Sequence, residues 1–210
     1  MKIKVCGMRE ADNIREVENL LTLNSKFSTI WMGFIFWPKS SRYVSEIPSY
    51  LPTRCKRVGV FVDASIDDIL QHIADYGLDM VQLHGHESPD YIRQLGSVCG
   101  DAITIIKALN IATTDDLEKA EPYEGIADYL LFDTKGKSVG GNGEKFDWSV
   151  LESYHGETPF LLSGGIGPDD AERVKKYSHP RYIGIDLNSR FESSPALKDI
   201  EKLKKFLNYE

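Results

Sequence analysis

Reactive and polar side chains follow short apolar runs at several points along the chain, and these side chains are the first candidates for chemistry. The thiol of Cys6 ends the first apolar run, and the carboxyl of Asp133 ends the sixth. A thiol and a carboxyl that face one pocket can act as a base and an acid and so move two protons. Because a free cysteine is commonly a small buried hydrophobe, Cys6 taken alone is equally compatible with a packing role.

The glycines that follow the seventh apolar run predict a site for an anion. Gly164 and Gly165 come directly after Ser163, and glycine lets the backbone approach a ligand closely. Free backbone N–H groups in such a turn and at a helix N-terminus favour negative charge. Asn188 and Ser189 follow the eighth run. The two segments together predict a phosphate site, with an ordinary turn as the alternative interpretation.

Eight runs of apolar and β-branched residues predict the strands that would position these groups. Most runs are continuous, which is typical of strands buried on both faces of a parallel sheet. The predicted strands are 2–6, 30–36, 57–62, 80–84, 103–109, 129–133, 159–163 and 182–186. Amphipathic stretches between and after them predict helices over 10–23, 66–76, 88–98, 114–120, 168–177 and 196–207.

This alternation predicts the α/β class and a single (β/α)8 TIM barrel domain over residues 1–210. A doubly wound open sheet is the alternative, but it usually needs a GxGxxG turn after the first strand. The turn found there, Cys6-Gly7-Met8-Arg9, lacks that pattern. In a barrel the active site lies at the carboxyl ends of the strands, where Cys6 and Asp133 would face each other across the mouth.

The composition restricts the class of partner and the location. The net charge of −7, from 25 Lys+Arg against 32 Asp+Glu, argues against nucleic-acid binding. The apolar run 30–37 is far shorter than the roughly 20 residues that cross a bilayer. Cys6, Cys55 and Cys99 show no CxxC spacing, which indicates reduced thiols. We therefore expect no metal site, no membrane association and a cytoplasmic location.

Seven groups of motifs in chain order resemble those of the phosphoribosylanthranilate isomerase family of tryptophan biosynthesis. They are Lys4-Val-Cys-Gly-Met, Gly33-Phe-Ile-Phe with Ser41-Arg-Tyr-Val, Val58-Gly-Val-Phe-Val, Val81-Gln-Leu-His-Gly, Phe132-Asp-Thr with the glycine-rich segment up to Trp148, Ser163-Gly-Gly-Ile and Gly184-Ile-Asp. The resemblance covers the whole chain. It implies a TIM barrel isomerase that performs an Amadori rearrangement of N-(5-phosphoribosyl)anthranilate. Because the rearrangement is internal, no cofactor is expected.

The resemblance also implies roles for individual residues. Cys6 matches the general base, Asp133 the general acid, and Arg42 the arginine that holds the anthranilate carboxylate. The other implied substrate-binding residues are His84, Asp186, Gly164, Gly165, Asn188 and Ser189, of which the last four form a phosphate cradle. An ordinary thiol with a pKa of about 8.5 is mostly protonated at neutral pH. We therefore expect the pKa of Cys6 to be lowered.

The chain departs from the family pattern at Arg190, where glycine is common. This arginine could supply a cation to the phosphate, point to solvent or narrow the loop. Gly140, Gly141 and Gly143 predict a mobile loop over the site.

Two other functions stay open at this point: a different phosphosugar barrel enzyme, such as a related isomerase of histidine biosynthesis or a lyase, and a phosphate-binding module without catalysis. Arg42 argues against the first, since a substrate without the anthranilate carboxylate gives it no partner. The pair of Cys6 and Asp133 argues against the second. We expect a small-molecule phosphosugar–anthranilate substrate and a monomer or homodimer.

Overall fold

A closed barrel of eight parallel strands forms the centre of the computed structural model, which describes residues 1–24, 27–134 and 147–207. Neighbouring strands pair in chain order, and the first pairs with the last to close the ring. The strands are β1 Lys2–Cys6, β2 Thr29–Ile35, β3 Lys56–Phe61, β4 Met80–Leu83, β5 Thr104–Ile111, β6 Tyr129–Thr134, β7 Phe160–Ser163 and β8 Tyr182–Leu187. The predicted TIM barrel is confirmed, and the open sheet is excluded.

Helical segments follow most strands and cover the outside of the barrel. The α-helices are α1 Ala11–Thr22, α2 Ile66–Tyr76, α3 Pro89–Cys99, α4 Ala171–Lys176 and α5 Ile200–Leu207. The hydroxyls of Ser65 and Ser88 accept hydrogen bonds from the backbone N–H groups of Asp68 and Tyr91 and so cap α2 and α3. No helix in the described part of the chain is long and apolar enough to cross a membrane.

The helical segments that follow β5 and β7 differ from the predicted helices. The segment after β5, Thr114–Tyr123, is a 3₁₀-helix that contains Pro122, and proline removes a backbone donor that a regular α-helix needs. The helix after β7 begins only at Ala171. Asp170 first accepts a hydrogen bond from the Gly167 N–H at 2.8 Å, which turns the chain before the helix starts.

The predicted final helix is also shorter, because its first residues form a hairpin. The strands β9, Glu192–Ser194, and β10, Leu197–Lys198, pair antiparallel, and α5 follows them. The Asn13 side chain on α1 donates to the Lys198 carbonyl at 2.9 Å and accepts from the Lys198 N–H at 2.7 Å. These two hydrogen bonds fasten the hairpin to the barrel near its mouth.

Two apolar clusters support the barrel from the inside and the outside. The interior cluster consists of Trp31, Val58, Met80, Ile106, Ala108, Leu131 and Leu161. A larger cluster packs between the outer faces of the strands and the helices, since successive strand residues point to opposite faces. At the carboxyl end of β1 the interior becomes polar, because Lys4 is fully buried there. The mouth of the barrel therefore lies above a packed floor.

Candidate active site

A cavity of about 470 Å³ lies at the carboxyl ends of the barrel strands. Eight of the nine predicted site residues line it: Cys6, His84, Asp133, Gly164, Gly165, Asp186, Asn188 and Ser189. Its lining also includes Gln82, Thr134, Ser163 and Arg190, which were not assigned as site residues from the sequence. Gln82 and Ser163 lie within the motifs that carry the family resemblance. Their place within these motifs could have identified Gln82 and Ser163 as site residues from the sequence.

Cys6 is the last residue of β1, and only 3% of it is exposed. It pairs with Gly33 on β2, where the two strands approach closely. A Cβ at Gly33 would lie 2.8 Å from the Cys6 Sγ and 3.1 Å from its Cα, closer than a side chain tolerates. A glycine on β2 therefore makes the space that the thiol occupies.

The surroundings of Cys6 contradict the predicted lowering of its pKa. Burial has the largest effect and raises the pKa of Cys6 above its ordinary value. The charge of Lys4 lowers this pKa, the charge of Asp186 raises it, and the net direction is upward. The prediction was wrong because the spacing of residues carries no measure of how completely the thiol is removed from water.

A buried ion pair lies beside the thiol. Lys4 Nζ donates to Asp186 Oδ1 at 2.9 Å, and the Ser163 hydroxyl donates to Asp186 Oδ2 at 3.0 Å. Burial alone lowers the pKa of Lys4, but Asp186 and Cys6 outweigh that effect, and the pKa is raised. Lys4 is therefore a charged ammonium inside the barrel, and Asp186 is held by two donors.

His84 and Asp133 lie next to each other on the wall formed by β4 to β6. His84 Nε2 is 3.6 Å from Asp133 Oδ2, and Gln82 Nε2 is 3.2 Å from His84 Nδ1. Since β6 is three strands from β1 around the ring, Asp133 and Cys6 approach the cavity from different sides. Within the described ranges, no group of three or more His, Cys, Asp or Glu side chains is placed to hold a metal ion.

The loop after β7 has the backbone conformation that its glycines allow. The φ angles are +89° at Gly164 and +67° at Gly165, in the region that favours glycine. A Cβ on Gly164 would collide with the Thr134 carbonyl, whereas the space in front of Gly165 is open. Arg190 lies across this loop, with its Nε 2.8 Å from the Cβ position of Gly167. The predicted mobile segment around 140–143 lies outside the described residues.

Arg42 is the predicted site residue that does not line the cavity. Its side chain packs against Gly7, and its Nε and Nη2 donate to the Glu192 carboxylate at 2.8 and 2.6 Å. Glu192 also accepts from Lys198 Nζ at 2.6 Å, and the same Nζ donates to Asn188 Oδ1 at 3.0 Å. Glu192 and Lys198 were missed in the sequence because they lie about 150 residues from Arg42. Together they connect the loop after β2 to the segment after β8.

The match to a known family covers almost the whole chain. Residues 3–209 match the family model described as "PRAI: N-(5'phosphoribosyl)anthranilate (PRA) isomerase". The chain belongs to this isomerase family. An N-(5'-phosphoribosyl)anthranilate isomerase from Parabacteroides distasonis is 49% identical and aligns with 99% of this chain and 92% of its own length. The enzyme of the same name from Phocaeicola vulgatus is 47% identical, with 99% and 97% covered.

Solved structures of the isomerase family share the fold. The Thermotoga maritima phosphoribosyl anthranilate isomerase superimposes with a TM-score of 0.78 at 31% identity, covering 99% of this chain and 97% of that chain. A family member in complex with reduced 1-(o-carboxyphenylamino)-1-deoxyribulose 5-phosphate gives a TM-score of 0.75 at 28% identity, with the same coverage. The predicted family is therefore confirmed by sequence and by fold.

Proposed function

We propose that this chain catalyses the Amadori rearrangement of its family, from N-(5-phosphoribosyl)anthranilate to 1-(o-carboxyphenylamino)-1-deoxyribulose 5-phosphate, with Cys6 as the base and Asp133 as the acid. The observation that carries this proposal is that the thiol and the carboxyl line one cavity from different sides of the barrel. A family member with the same fold binds a reduced form of the same product. That chemistry needs two proton carriers and no cofactor.

The first two proton transfers of the proposed mechanism each have a defined donor and acceptor. Asp133 gives a proton to the furanose ring oxygen while the C1′–O bond breaks, and the nitrogen lone pair forms a protonated Schiff base. The Cys6 thiolate then takes the proton from C2′, and the C2′–H electron pair neutralises the iminium to give an enolamine. Tautomerisation of the enolamine gives the ketone. The cationic Schiff base favours the thiolate and so opposes the effect of burial on the Cys6 pKa.

Arg42 is proposed to hold the anthranilate carboxylate, and its contact with Glu192 supports that role. The Glu192 carboxylate accepts hydrogen bonds from Nε and from one N–H of Nη2 of Arg42, and these bonds fix the plane of the guanidinium. The edge formed by Nη1 and Nη2 still carries N–H groups that can bind a carboxylate with two parallel hydrogen bonds. The carboxylate would enter from the rim of the barrel, next to Gly7. A substrate without this carboxylate would lose that contact.

The proposed phosphate cradle lies between the loops after β7 and β8. Gly164 and Gly165 supply a backbone that a phosphate can approach, and Asn188 and Ser189 line the other side. Arg190 lines the same cavity and adds a guanidinium that can donate to phosphate oxygens. On the opposite wall, His84 lies beside Asp133 and orients the proposed acid. Asp186 acts through the buried contacts to Lys4 and Ser163.

Loss of phosphoribosylanthranilate fluorescence during turnover tests the assignment of base and acid. Cys6→Ser and Asp133→Asn are each expected to lower kcat by at least about 100-fold, since each removes one proton-transfer step. Cys99→Ser is the matched control, because Cys99 is a free thiol that does not line the cavity. Thermal unfolding should show folded protein in all three variants. Near-wild-type turnover by either site variant would remove that residue from its proposed role.

We also propose a cytoplasmic enzyme that exists as a monomer or homodimer. The location follows from the three unpaired cysteines, which persist as thiols in a reducing compartment. One of the related structures is of monomers made from a dimeric family member of Thermotoga maritima. Sedimentation at several protein concentrations distinguishes the two states for this chain.

A further inference from the structure

Lys4 is a fully buried lysine inside the barrel, and no step of the proposed reaction uses it. It lies two residues before Cys6 on β1, and alternate strand residues point to the same face, so both side chains enter the barrel. Removing an ammonium from water is costly unless nearby groups compensate. Other positions in the barrel interior carry apolar residues such as Val58 and Leu161. The lysine therefore requires an explanation beyond filling space.

The ammonium of Lys4 lies next to the thiol of Cys6. A Cβ placed on Gly33 would lie 3.2 Å from Lys4 Nζ and 2.8 Å from Cys6 Sγ. Lys4 Nζ and Cys6 Sγ are therefore separated by no more than the sum of these two distances. An opposite charge within about 6 Å favours the ionised form of a titratable group. The geometry is therefore that of a cation paired with a potential thiolate.

Asp186 fixes the position of this ammonium. Its Oδ1 accepts from Lys4 Nζ at 2.9 Å, and its Oδ2 accepts from Ser163 at 3.0 Å. The pairing keeps Lys4 charged both before and after the thiolate takes a proton. Without the carboxylate, the buried ammonium would lose its proton instead of stabilising the sulfur.

Other charges also face Cys6, but they have other partners. Asp186 lies on β8, Lys198 on β10 and Arg42 on the loop after β2, and each affects or is affected by the Cys6 charge. Lys198 and Arg42 are both paired with Glu192. Among the charged groups, Lys4 has the largest effect on the pKa of Cys6, and that effect is downward.

We infer that Lys4 is a positioning residue for the reaction: its ammonium, held by Asp186, offsets part of the effect of burial and so stabilises the Cys6 thiolate that removes the C2′ proton. The inference rests on the proposed function, because it takes Cys6 as the base. It assigns a catalytic purpose to the burial of a charge that is otherwise unfavourable. It also explains why an anion, Asp186, is present so close to a group that must itself become an anion.

The test measures the ionisation of Cys6 without requiring turnover. The rate of Cys6 alkylation by iodoacetamide is followed from about pH 6 to about pH 11 by mass spectrometry of the tryptic peptide that contains it. Cys55 serves as an internal reference, since burial raises its pKa to about 12. The variants are Lys4→Met and the double variant Lys4→Met/Asp186→Asn. The double variant removes both charges, which guards against unfolding caused by an unpaired Asp186.

Loss of the ammonium is expected to move the midpoint of Cys6 alkylation upward by about one pH unit or more. Below that midpoint each unit removes about nine tenths of the thiolate, so kcat at neutral pH falls by about tenfold or more. For Lys4→Met we expect kcat to recover as the pH rises and KM to stay within about threefold, since Lys4 does not line the cavity. A purely structural role would leave the alkylation midpoint unchanged.

Lys4→Met/Asp186→Asn has a matched control in Lys107→Met/Glu87→Gln. Lys107 and Glu87 form another buried ion pair at 2.7 Å, with both side chains 2% exposed, and neither residue lines the cavity. This control should leave the midpoint at the wild-type pH. A folded Lys4→Met variant with a wild-type midpoint or wild-type kcat would overturn the inference. In the double variant the loss of the Asp186 charge offsets part of the shift, so a smaller rise of the midpoint is expected, and a fall would overturn the inference as well. Cys6→Ser distinguishes failure of the proposed function from failure of the inference about Lys4. An active Cys6→Ser enzyme refutes the role of Cys6 in the proposed function. If Cys6→Ser is inactive, a negative result with the Lys4 variants refutes only the inference about Lys4.

Discussion

Gly33→Ala adds one methyl group at a crowded point of the site, beside the Cys6 thiol and the Lys4 ammonium. The new Cβ would lie 2.8 Å from Sγ, 3.1 Å from the Cys6 Cα and 3.2 Å from Nζ. Ordinary contact begins near 3.4 Å, so the sulfur must move by about 0.6 Å. The Cys6 Cα pairs with Gly33, and the preceding residue Val5 pairs with Leu187 of β8, which forces most of the displacement into the side chains.

We expect this displacement to lower kcat by about 100-fold, the usual effect of moving a reacting group by a sizeable fraction of an ångström. KM should change by less than about threefold, because the substrate-binding loops are untouched. The cost in folding free energy should be about 1–3 kcal/mol, as for an extra carbon in a packed interior. The assay combines turnover at saturating phosphoribosylanthranilate with urea unfolding of the same protein samples.

Gly96→Ala is the matched control for Gly33→Ala. Gly96 lies within α3, and the nearest atom to its added Cβ is the Ile105 Cδ1 at a comfortable 3.8 Å. Alanine in a helix is more favourable than glycine by about 1 kcal/mol, so this variant should be as stable as the wild type or more so. If Gly33→Ala kept kcat within threefold of the wild type, the close packing of the thiol would not matter for catalysis.

Two further predictions concern the rim of the site. Arg190→Ala should raise KM by about threefold to tenfold with little effect on kcat, because it removes the proposed charge-assisted contact to the phosphate, which is exposed. Steady-state kinetics checks this, with Arg93→Ala as a surface control. An unchanged KM would contradict the prediction. Burial alone raises the pKa of Glu192, but hydrogen bonds from Arg42 and Lys198 outweigh it, so its pKa lies below the ordinary value of 4.5. The Glu192 carboxylate is therefore harder to protonate in the folded state than in the unfolded state. Its contacts with Arg42 and Lys198 stabilise the fold above pH 4.5, and this stabilisation is lost as the pH falls through the lower folded pKa of Glu192. Urea unfolding at several pH values should show that the difference in unfolding free energy between wild type and Glu192→Gln is constant above pH 4.5 and shrinks as the pH falls below it. A difference independent of pH would contradict this prediction.

The strands and the location of the site could be predicted because both depend on local sequence. Continuous apolar runs located all eight strands, and the carboxyl-end rule for barrels then placed Cys6 and Asp133 at one mouth. The helix caps at Ser65 and Ser88 were equally local signals. Each of these features depends on a few neighbouring residues, whose spacing alone indicates the structure.

The features that could not be predicted depend on contacts between distant parts of the chain. The hairpin of β9 and β10 replaced the start of a predicted helix because Asn13, 185 residues away, binds the Lys198 backbone. The direction of the Cys6 pKa depended on burial, which only the folded barrel defines. Arg42 was predicted without its partner Glu192 for the same reason. Periodicity and short motifs carry no information about such pairs.

The pairing of β1 with β8 has a consequence for the order in which the protein folds. The Lys4–Asp186 contact spans 182 residues, and the Asn13–Lys198 contact spans 185. The first strand can therefore pair with β2 early, but its other edge stays open until β8 has been made. Cys6 is synthesised before the segments that enclose it, because β8 lies about 180 residues later in the chain. Its thiol therefore becomes enclosed only when β8 closes the ring. A chain that stops before β8 has the strands that carry Cys6 and Asp133 but no closed ring, so the addition of β8 is the step that encloses the candidate active site.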